Sequence, residues 1–155
     1  MNARSLLRRA VFGAYCVLML YLLFFRHRAP ILLEPSYAET LQRNLNFIPG
    51  DTILRFARLL RYYPGYRHAA IVNLFGNIGM FIPLGFGLPW VHAALRRWWK
   101  TLLTAAGVIV CVELVQLVTL LGHCDVDDLI LNLIGVLIGY LIWFLALGRK
   151  KEPKS

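Results

Sequence analysis

Three carboxylates stand at the start of a long apolar stretch, HCDVDDLILNLIGVLIGYLI, residues 123–142. Asp125, Asp127 and Asp128 are followed one helical turn later by Asn132. Acidic side chains this close together can hold a divalent cation, exchange protons with a substrate, or cap a helix whose N-terminus carries partial positive charge. Which of these chemistries applies depends on the elements that position the carboxylates.

Those elements are predicted to be membrane-spanning helices. The chain has 155 residues, 59% of them hydrophobic, and its mean hydropathy of +0.61 is too high for a soluble domain of this size. We predict an all-α, polytopic membrane protein with a single transmembrane domain, residues 1–148, and a basic cytoplasmic tail, residues 149–155. Four stretches approach the roughly 20 apolar residues that cross a bilayer, namely residues 10–25, 69–90, 101–121 and 129–147. The first follows a basic segment as a signal peptide would, but FFRHRAP, residues 24–30, offers no small-x-small cleavage site, so we expect the helix to be retained.

Basic residues predict the orientation, because Lys and Arg are enriched in cytoplasmic loops. Three clusters flank the spans: Arg4, Arg8 and Arg9; Arg96, Arg97 and Lys100; and Arg149, Lys150, Lys151 and Lys154. Four spans place all three on one side, so both termini are expected in the cytoplasm, and the acidic loop, residues 122–128, faces outward. Membrane anchoring then accounts for the net charge of +9, and the sequence contains no nucleic-acid-binding motif.

The long connection between the first two spans, residues 26–68, is predicted to contain an amphipathic helix on the extracytoplasmic side. The predicted helix begins at Asp51 as N-cap. A helical wheel separates an apolar arc of Ile53, Phe56, Ala57, Leu59 and Leu60 from a basic arc of Arg55, Arg58 and Arg61. Such a helix could lie in the outer headgroup layer near lipid phosphates, or its apolar face could pack on the helix bundle. Both interpretations stay open.

The polar residues within the spans are all predicted to lie in the outer half of the membrane. They are Asn73 and Asn77 in the second span, Glu113 and Gln116 in the third, and Asn132 in the fourth. Their spacings of three and four residues give stripes that can face one another, and Asp125 and Asp128 extend the last stripe if its helix begins in the loop. A carboxylate at the bilayer centre costs on the order of 3 kcal/mol unless it is paired or wetted. We therefore infer that Glu113 faces a polar pocket that opens outward.

Ordinary structural roles compete with this interpretation. Asp127 is better explained as a first-turn acid that complements the dipole of the last helix, whereas capping and pocket roles stay open for Asp125 and Asp128. The amides could be interhelical hydrogen-bond partners instead of ligand contacts. His123, alone in the loop, is interpreted as solvated. The motif Gly135-xxx-Gly139 is equally compatible with packing inside the chain and with a homodimer.

Taken together, three motifs resemble the VanZ-like family of bacterial membrane proteins. They are NLFGNIGMFIPLGF (residues 73–86), ELVQ (113–116) and CDVDDLILNLIGVLIGY (124–140), and NFIPGDTI (46–53) is similar to that family's Asn-Leu-Ile-Pro-Phe segment. Gly50 stands where the family often has Phe, and an Arg frequent before the acidic motif is replaced by Gly122 and His123. The matching positions are Asn73, Gly76, Asn77, Phe81, Pro83, Gly85, Glu113, Gln116, Asp125, Asp128, Asn132 and Gly135, and Asn46 and His123 are secondary candidates for the site.

The resemblance implies a protein of the bacterial cytoplasmic membrane, in a group named for low-level resistance to the glycopeptide teicoplanin. Three hypotheses follow, and we rank a non-enzymatic binding protein first. It would engage a lipid-linked cell-wall intermediate or an acyl-bearing glycopeptide besides the membrane lipids, without a cofactor. The alternatives are an intramembrane enzyme that uses Glu113, Asp125 and Asp128 as acid/base groups or as ligands of a divalent cation, and a proton-coupled transporter in which Glu113 titrates.

Overall fold

The computed structural model describes residues 2–25, 36–122 and 124–148. It confirms the predicted all-α, polytopic membrane fold. The helices are α1 (Ala3–Phe25), α2 (Tyr37–Arg43), α3 (Asp51–Tyr62), α4 (Arg67–Val91), α5 (Trp98–Val118) and α6 (Val126–Trp143). Four of them, α1, α4, α5 and α6, are long and apolar enough to cross a membrane. Two predicted features, the solvated His123 and the basic tail, lie outside the described residues, as does most of FFRHRAP.

The helix bounds differ from the apolar stretches in ways that follow from local chemistry. Helix α1 begins at Ala3 because the Arg and Leu residues before the first apolar stretch are good helix formers. Helix α6 begins at Val126, inside the acidic loop, so Asp128 and Asn132 do lie on one stripe of a helix. A single π-helical turn, Phe144–Gly148, extends α6.

Helices α4 and α6 form the central pair of the bundle, and glycine allows their backbones to meet. A Cβ atom at Gly135 would overlap the carbonyl oxygen of Ile78, one at Gly139 that of Ile82, and one at Gly85 that of Val136. The Gly135-xxx-Gly139 face is therefore occupied by α4 of the same chain, which decides its role in favour of internal packing. A homodimer would need another face. The buried core around this pair comprises Met19, Phe81, Leu84, Leu88, Ala105, Ile109 and Val136.

Two short elements that we did not predict attach the long connection to the acidic loop. Helix α2 begins with a capping box between Ser36 and Glu39. It is followed by strand β1 (Leu45–Asn46), which pairs in parallel with β2 (Cys124–Asp125). This pairing sets Asn46 beside Asp125 at the start of α6.

Helix α3 contacts α4 and exposes its basic face. Four of the five apolar residues on the predicted arc are half-buried, whereas Ala57 and the arginines Arg55, Arg58 and Arg61 are exposed. The predicted N-cap was wrong: Asp51 is the first helical residue, and the N-cap is Gly50, with φ of +89°. Only glycine adopts that left-handed conformation without steric cost.

Candidate functional site

The carboxylate of Asp127 caps a helix other than its own. Its Oδ1 accepts a hydrogen bond from the backbone N–H of Gly50 at 2.6 Å, and its Oδ2 accepts from Thr52 at 2.8 Å and Ile53 at 3.1 Å. Asp127 lies in the first turn of α6, as predicted, and its fully buried side chain also binds the N-terminus of α3, which was not predicted. Backbone N–H groups at a helix start are unpaired within the helix and attract an anion.

Asp125 is the N-cap of α6 and also joins three segments of the chain. Its Oδ1 accepts the backbone N–H of Asp127 at 2.9 Å. Its Oδ2 accepts the hydroxyl of Thr52 at 2.5 Å, and Asn46 Nδ2 lies 3.3 Å from both oxygens. Asn46 Nδ2 is also 3.0 Å from the Thr52 hydroxyl. Both carboxylate oxygens of Asp125 therefore already have protein donors.

Asp128 contacts α4 of the bundle. Its Oδ1 accepts a hydrogen bond from Asn77 Nδ2 of α4 at 2.6 Å. One turn further along α6, the buried side chain of Asn132 lies on the same stripe.

Two neighbouring cavities meet at Asp128. The first, here called the loop cavity, has a volume of about 480 Å³ and is lined by Asn44, Leu45, Asn46, Asp51, Thr52, Arg55, Phe56, Asn73, Asp125 and Asp128. The second, the bundle cavity, has a volume of about 270 Å³ and is lined by Leu22, Leu23, Asn73, Asn77, Met80, Phe81, Ile109, Val112, Glu113, Gln116, Leu121, Gly122, Asp128 and Asn132. Because Asn73 and Asp128 line both cavities, a polar mouth under α3 adjoins a chamber among α1, α4, α5 and α6.

Glu113 is buried at the wall of the bundle cavity. Its side chain is 7% exposed, and its Oε1 has no hydrogen-bond partner within the described part of the chain. Among the described residues, its Oε2 receives a long contact of 3.9 Å from the thiol of Cys124. Burial raises the pKa of the Cys124 thiol, and the nearby charges of Glu113 and Asp125 raise it further.

The predicted amide residues divide into two groups. Gln116 Nε2 donates to the carbonyl of Leu23 on α1 at 2.9 Å, and Asn73 Nδ2 donates to the carbonyl of Ala69 in its own helix at 2.8 Å. These are structural hydrogen bonds of the kind expected between and within membrane helices. Asn132 differs, since its buried Oδ1 has no partner among the described residues.

Of the predicted site residues, the bundle cavity contains Asn73, Asn77, Glu113, Gln116, Asp128 and Asn132, and the loop cavity contains Asn46, Asn73, Asp125 and Asp128. Within residues 2–25, 36–122 and 124–148, no three His, Cys, Asp or Glu side chains are grouped to hold a metal ion. The three predicted ligands Glu113, Asp125 and Asp128 therefore form no such group there.

Sequence reasoning missed Thr52 and Arg55, both in the wall of the loop cavity. The signal was available in NFIPGDTI: a Gly followed by Asp and Thr at a helix start often marks an N-terminus whose polar groups need partners. Which residue supplies the partner is not readable from that segment.

Comparison with known proteins identifies the family. Comparison with curated proteins gave no match, and comparison with solved structures gave none either. A protein-family model described as VanZ/LLP1 matches residues 12–147, which include α4, α5, α6, most of α1 and the lining of both cavities. The chain therefore belongs to the VanZ/LLP1 family, as a VanZ-like multi-pass membrane protein of a family associated with antibiotic resistance.

Proposed function

We propose that this VanZ-like protein binds an amphiphilic component of the bacterial cell envelope, either a lipid-linked cell-wall intermediate or an acyl-bearing glycopeptide, and so contributes to envelope protection. The observation that carries the proposal is that the loop cavity and the bundle cavity share Asn73 and Asp128. A polar mouth adjoins a chamber whose remaining wall includes Leu22, Leu23 and Ile109. A ligand with a polar head and an apolar chain matches this change of polarity.

The proposal includes an orientation in the bacterial cytoplasmic membrane, with both termini in the cytoplasm and the loop cavity outside. The distribution of Lys and Arg supports it. Helix α3 then lies at the outer surface, where its exposed Arg58 and Arg61 can attract lipid phosphates. An anionic lipid-linked intermediate would meet these arginines before it reached the acidic interior.

The hydrogen bonds that Asp125 and Asp127 already accept favour binding over catalysis. Both oxygens of Asp125 accept protein hydrogen bonds, and both oxygens of Asp127 cap α3. Groups committed to these bonds are poorly placed to coordinate a cation or to exchange protons with a substrate. Glu113 and Asp128 are left as the carboxylates that a ligand in the bundle cavity could contact.

The test is susceptibility to teicoplanin and vancomycin in a sensitive Gram-positive host. The host would express the wild type, Glu113→Gln, Asp128→Asn, or Glu39→Gln as a control at an exposed acid, with membrane levels matched by immunoblot. We expect protection that is selective for the acylated antibiotic, teicoplanin, and that is lost in Glu113→Gln and Asp128→Asn but kept in Glu39→Gln. Equal protection against both antibiotics, or full protection by the double variant Glu113→Gln/Asp128→Asn, would contradict the proposal.

A further inference from the structure

The polar wall of the bundle cavity contains oxygen acceptors that have no hydrogen-bond partner among the described residues. The wall includes the carboxylates of Glu113 and Asp128 and the amide oxygen of Asn132. The side chains of Glu113 and Asn132 are 7% and 6% exposed. Glu113 Oε1 and Asn132 Oδ1 have no hydrogen-bond partner among the described residues. A buried polar atom without a partner costs about 1–3 kcal/mol, so an occupant that supplies hydrogen would be stabilised here.

Three of the four side-chain amide nitrogens in the same wall donate to protein oxygens. Asn77 Nδ2 donates to Asp128, Gln116 Nε2 to the Leu23 carbonyl, and Asn73 Nδ2 to the Ala69 carbonyl. No Lys, Arg or His lines the bundle cavity among the described residues. Arg55 lines the loop cavity, which Asp128 also lines, and it lies over the ring of Phe56 and 3.4 Å from the Thr52 hydroxyl. Within the bundle cavity, the described residues therefore supply no cation to Glu113 and Asp128.

We propose that the bundle cavity binds a primary ammonium group carried by an amphiphile. This inference rests on the proposed function and names the headgroup class that the same site would take. An ammonium group has three N–H donors and no acceptor, which suits a wall where Glu113 Oε1 and Asn132 Oδ1 have no partner among the described residues. Its charge would be attracted by Glu113 and Asp128, and charge-assisted hydrogen bonds are the stronger ones.

The dimensions and lining of the cavity favour a primary over a quaternary ammonium group. Quaternary ammonium ions have no N–H to donate and are recognised by cages of aromatic rings. Phe81 is the one aromatic residue among the described residues that line the bundle cavity. The volume of about 270 Å³ is smaller than the usual drug-sized site, which suits a compact headgroup while its chain extends along Leu22 and Leu23.

The first experiment measures binding to the purified wild-type protein in nanodiscs of phosphatidylglycerol by isothermal titration calorimetry. The probes are octylammonium, octyltrimethylammonium and octanol, which share a chain and differ in the headgroup. We expect octylammonium to bind at least about tenfold more tightly than either of the others, since it alone brings both charge and N–H donors. Because this series uses only the wild type, a variant that fails to fold cannot hide the answer.

A second set of measurements locates the site and separates two sources of the amine. Glu113→Gln should weaken octylammonium binding at least about tenfold, whereas Glu39→Gln should leave it unchanged. Displacement of octylammonium by short-chain phosphatidylethanolamine, but not by phosphatidylcholine of the same chain length, would identify a lipid headgroup as the source. Displacement by teicoplanin alone would identify the antibiotic.

These outcomes distinguish failure of the ammonium site from failure of the proposed envelope function. Equal binding of octylammonium and octyltrimethylammonium, or unchanged affinity in Glu113→Gln, would overturn the ammonium site. If teicoplanin protection were still lost in Glu113→Gln, the proposed envelope function would survive that result. Ammonium selectivity without any protection by the wild type would support this site and contradict the resistance role.

Discussion

Replacing Asp127 should release helix α3 from the bundle, because one buried carboxylate holds the start of that helix. The side chain accepts three backbone N–H groups, from Gly50, Thr52 and Ile53, at 2.6, 2.8 and 3.1 Å. At about 1.5 kcal/mol for each bond to a charged group, the three together contribute about 4.5 kcal/mol to keeping α3 docked. Losing them in Asp127→Ala would raise the population of the undocked helix on the order of a thousandfold. Asp127→Asn keeps one acceptor oxygen and should have an intermediate effect.

Trypsin offers a direct assay, since α3 carries Arg55, Arg58 and Arg61 on its exposed face. Cleavage within a helix requires local opening, so the cleavage rate follows the undocked population when reclosing is fast. The matched control is Asp51→Asn, at an exposed acid in the first turn of the same helix that does not bridge to α6. We expect trypsin to cleave Asp127→Ala fastest and Asp127→Asn more slowly, whereas Asp51→Asn should be cleaved at a rate close to that of the wild type. If Asp127→Ala were cleaved no faster than Asp51→Asn, the capping role would be refuted.

Three further predictions concern packing and the site. Gly139→Ala should lower the melting temperature because its methyl group would overlap the backbone of α4. Gly107→Ala is the control, since open space surrounds Gly107 and the melting temperature should stay unchanged. Equal changes in melting temperature for the two variants would contradict the close packing of α4 and α6. Thr52→Val should destabilise the protein by about 1–3 kcal/mol in chemical denaturation, since it removes a buried hydroxyl that donates to the N-cap carboxylate of α6; a cost near zero would argue against that bond. In a background with Cys124 as the single cysteine, labelling by a maleimide should be slow at neutral pH and accelerate as the pH rises through its raised pKa. Glu113→Gln removes a charge that raises the pKa of Cys124, so it should lower the pH midpoint of labelling. An unchanged midpoint would show that Glu113 does not influence the Cys124 thiol.

The sequence alone determined the helical membrane class and predicted several of the residues that line the two cavities. Apolar runs of bilayer length and helical spacing are local properties, so they predicted four spans and placed Asn77, Asp128 and Asn132 on stripes that could face one another. The free-energy cost of burying a carboxylate in the membrane also pointed to Glu113. This cost is a local property as well, because it depends on one residue and its depth in the bilayer. Amphipathic spacing likewise predicted α3, with its start misplaced by one residue because Asp is a common N-cap and the left-handed Gly50 was not recognised.

Only the tertiary structure decided which groups meet. The partner of Asp127 lies on α3, far away in the sequence, and a carboxylate before an apolar run is equally suited to cap its own helix or another. The same holds for Gly135 and Gly139, whose small size permits close approach of any helix, and here the backbone of α4 occupies that space. Pairing of β1 with β2 depends on a loop closure between segments that carry no pairing signal of their own. Local periodicity fixes which face a side chain occupies, whereas packing energy across the whole bundle fixes what that face touches.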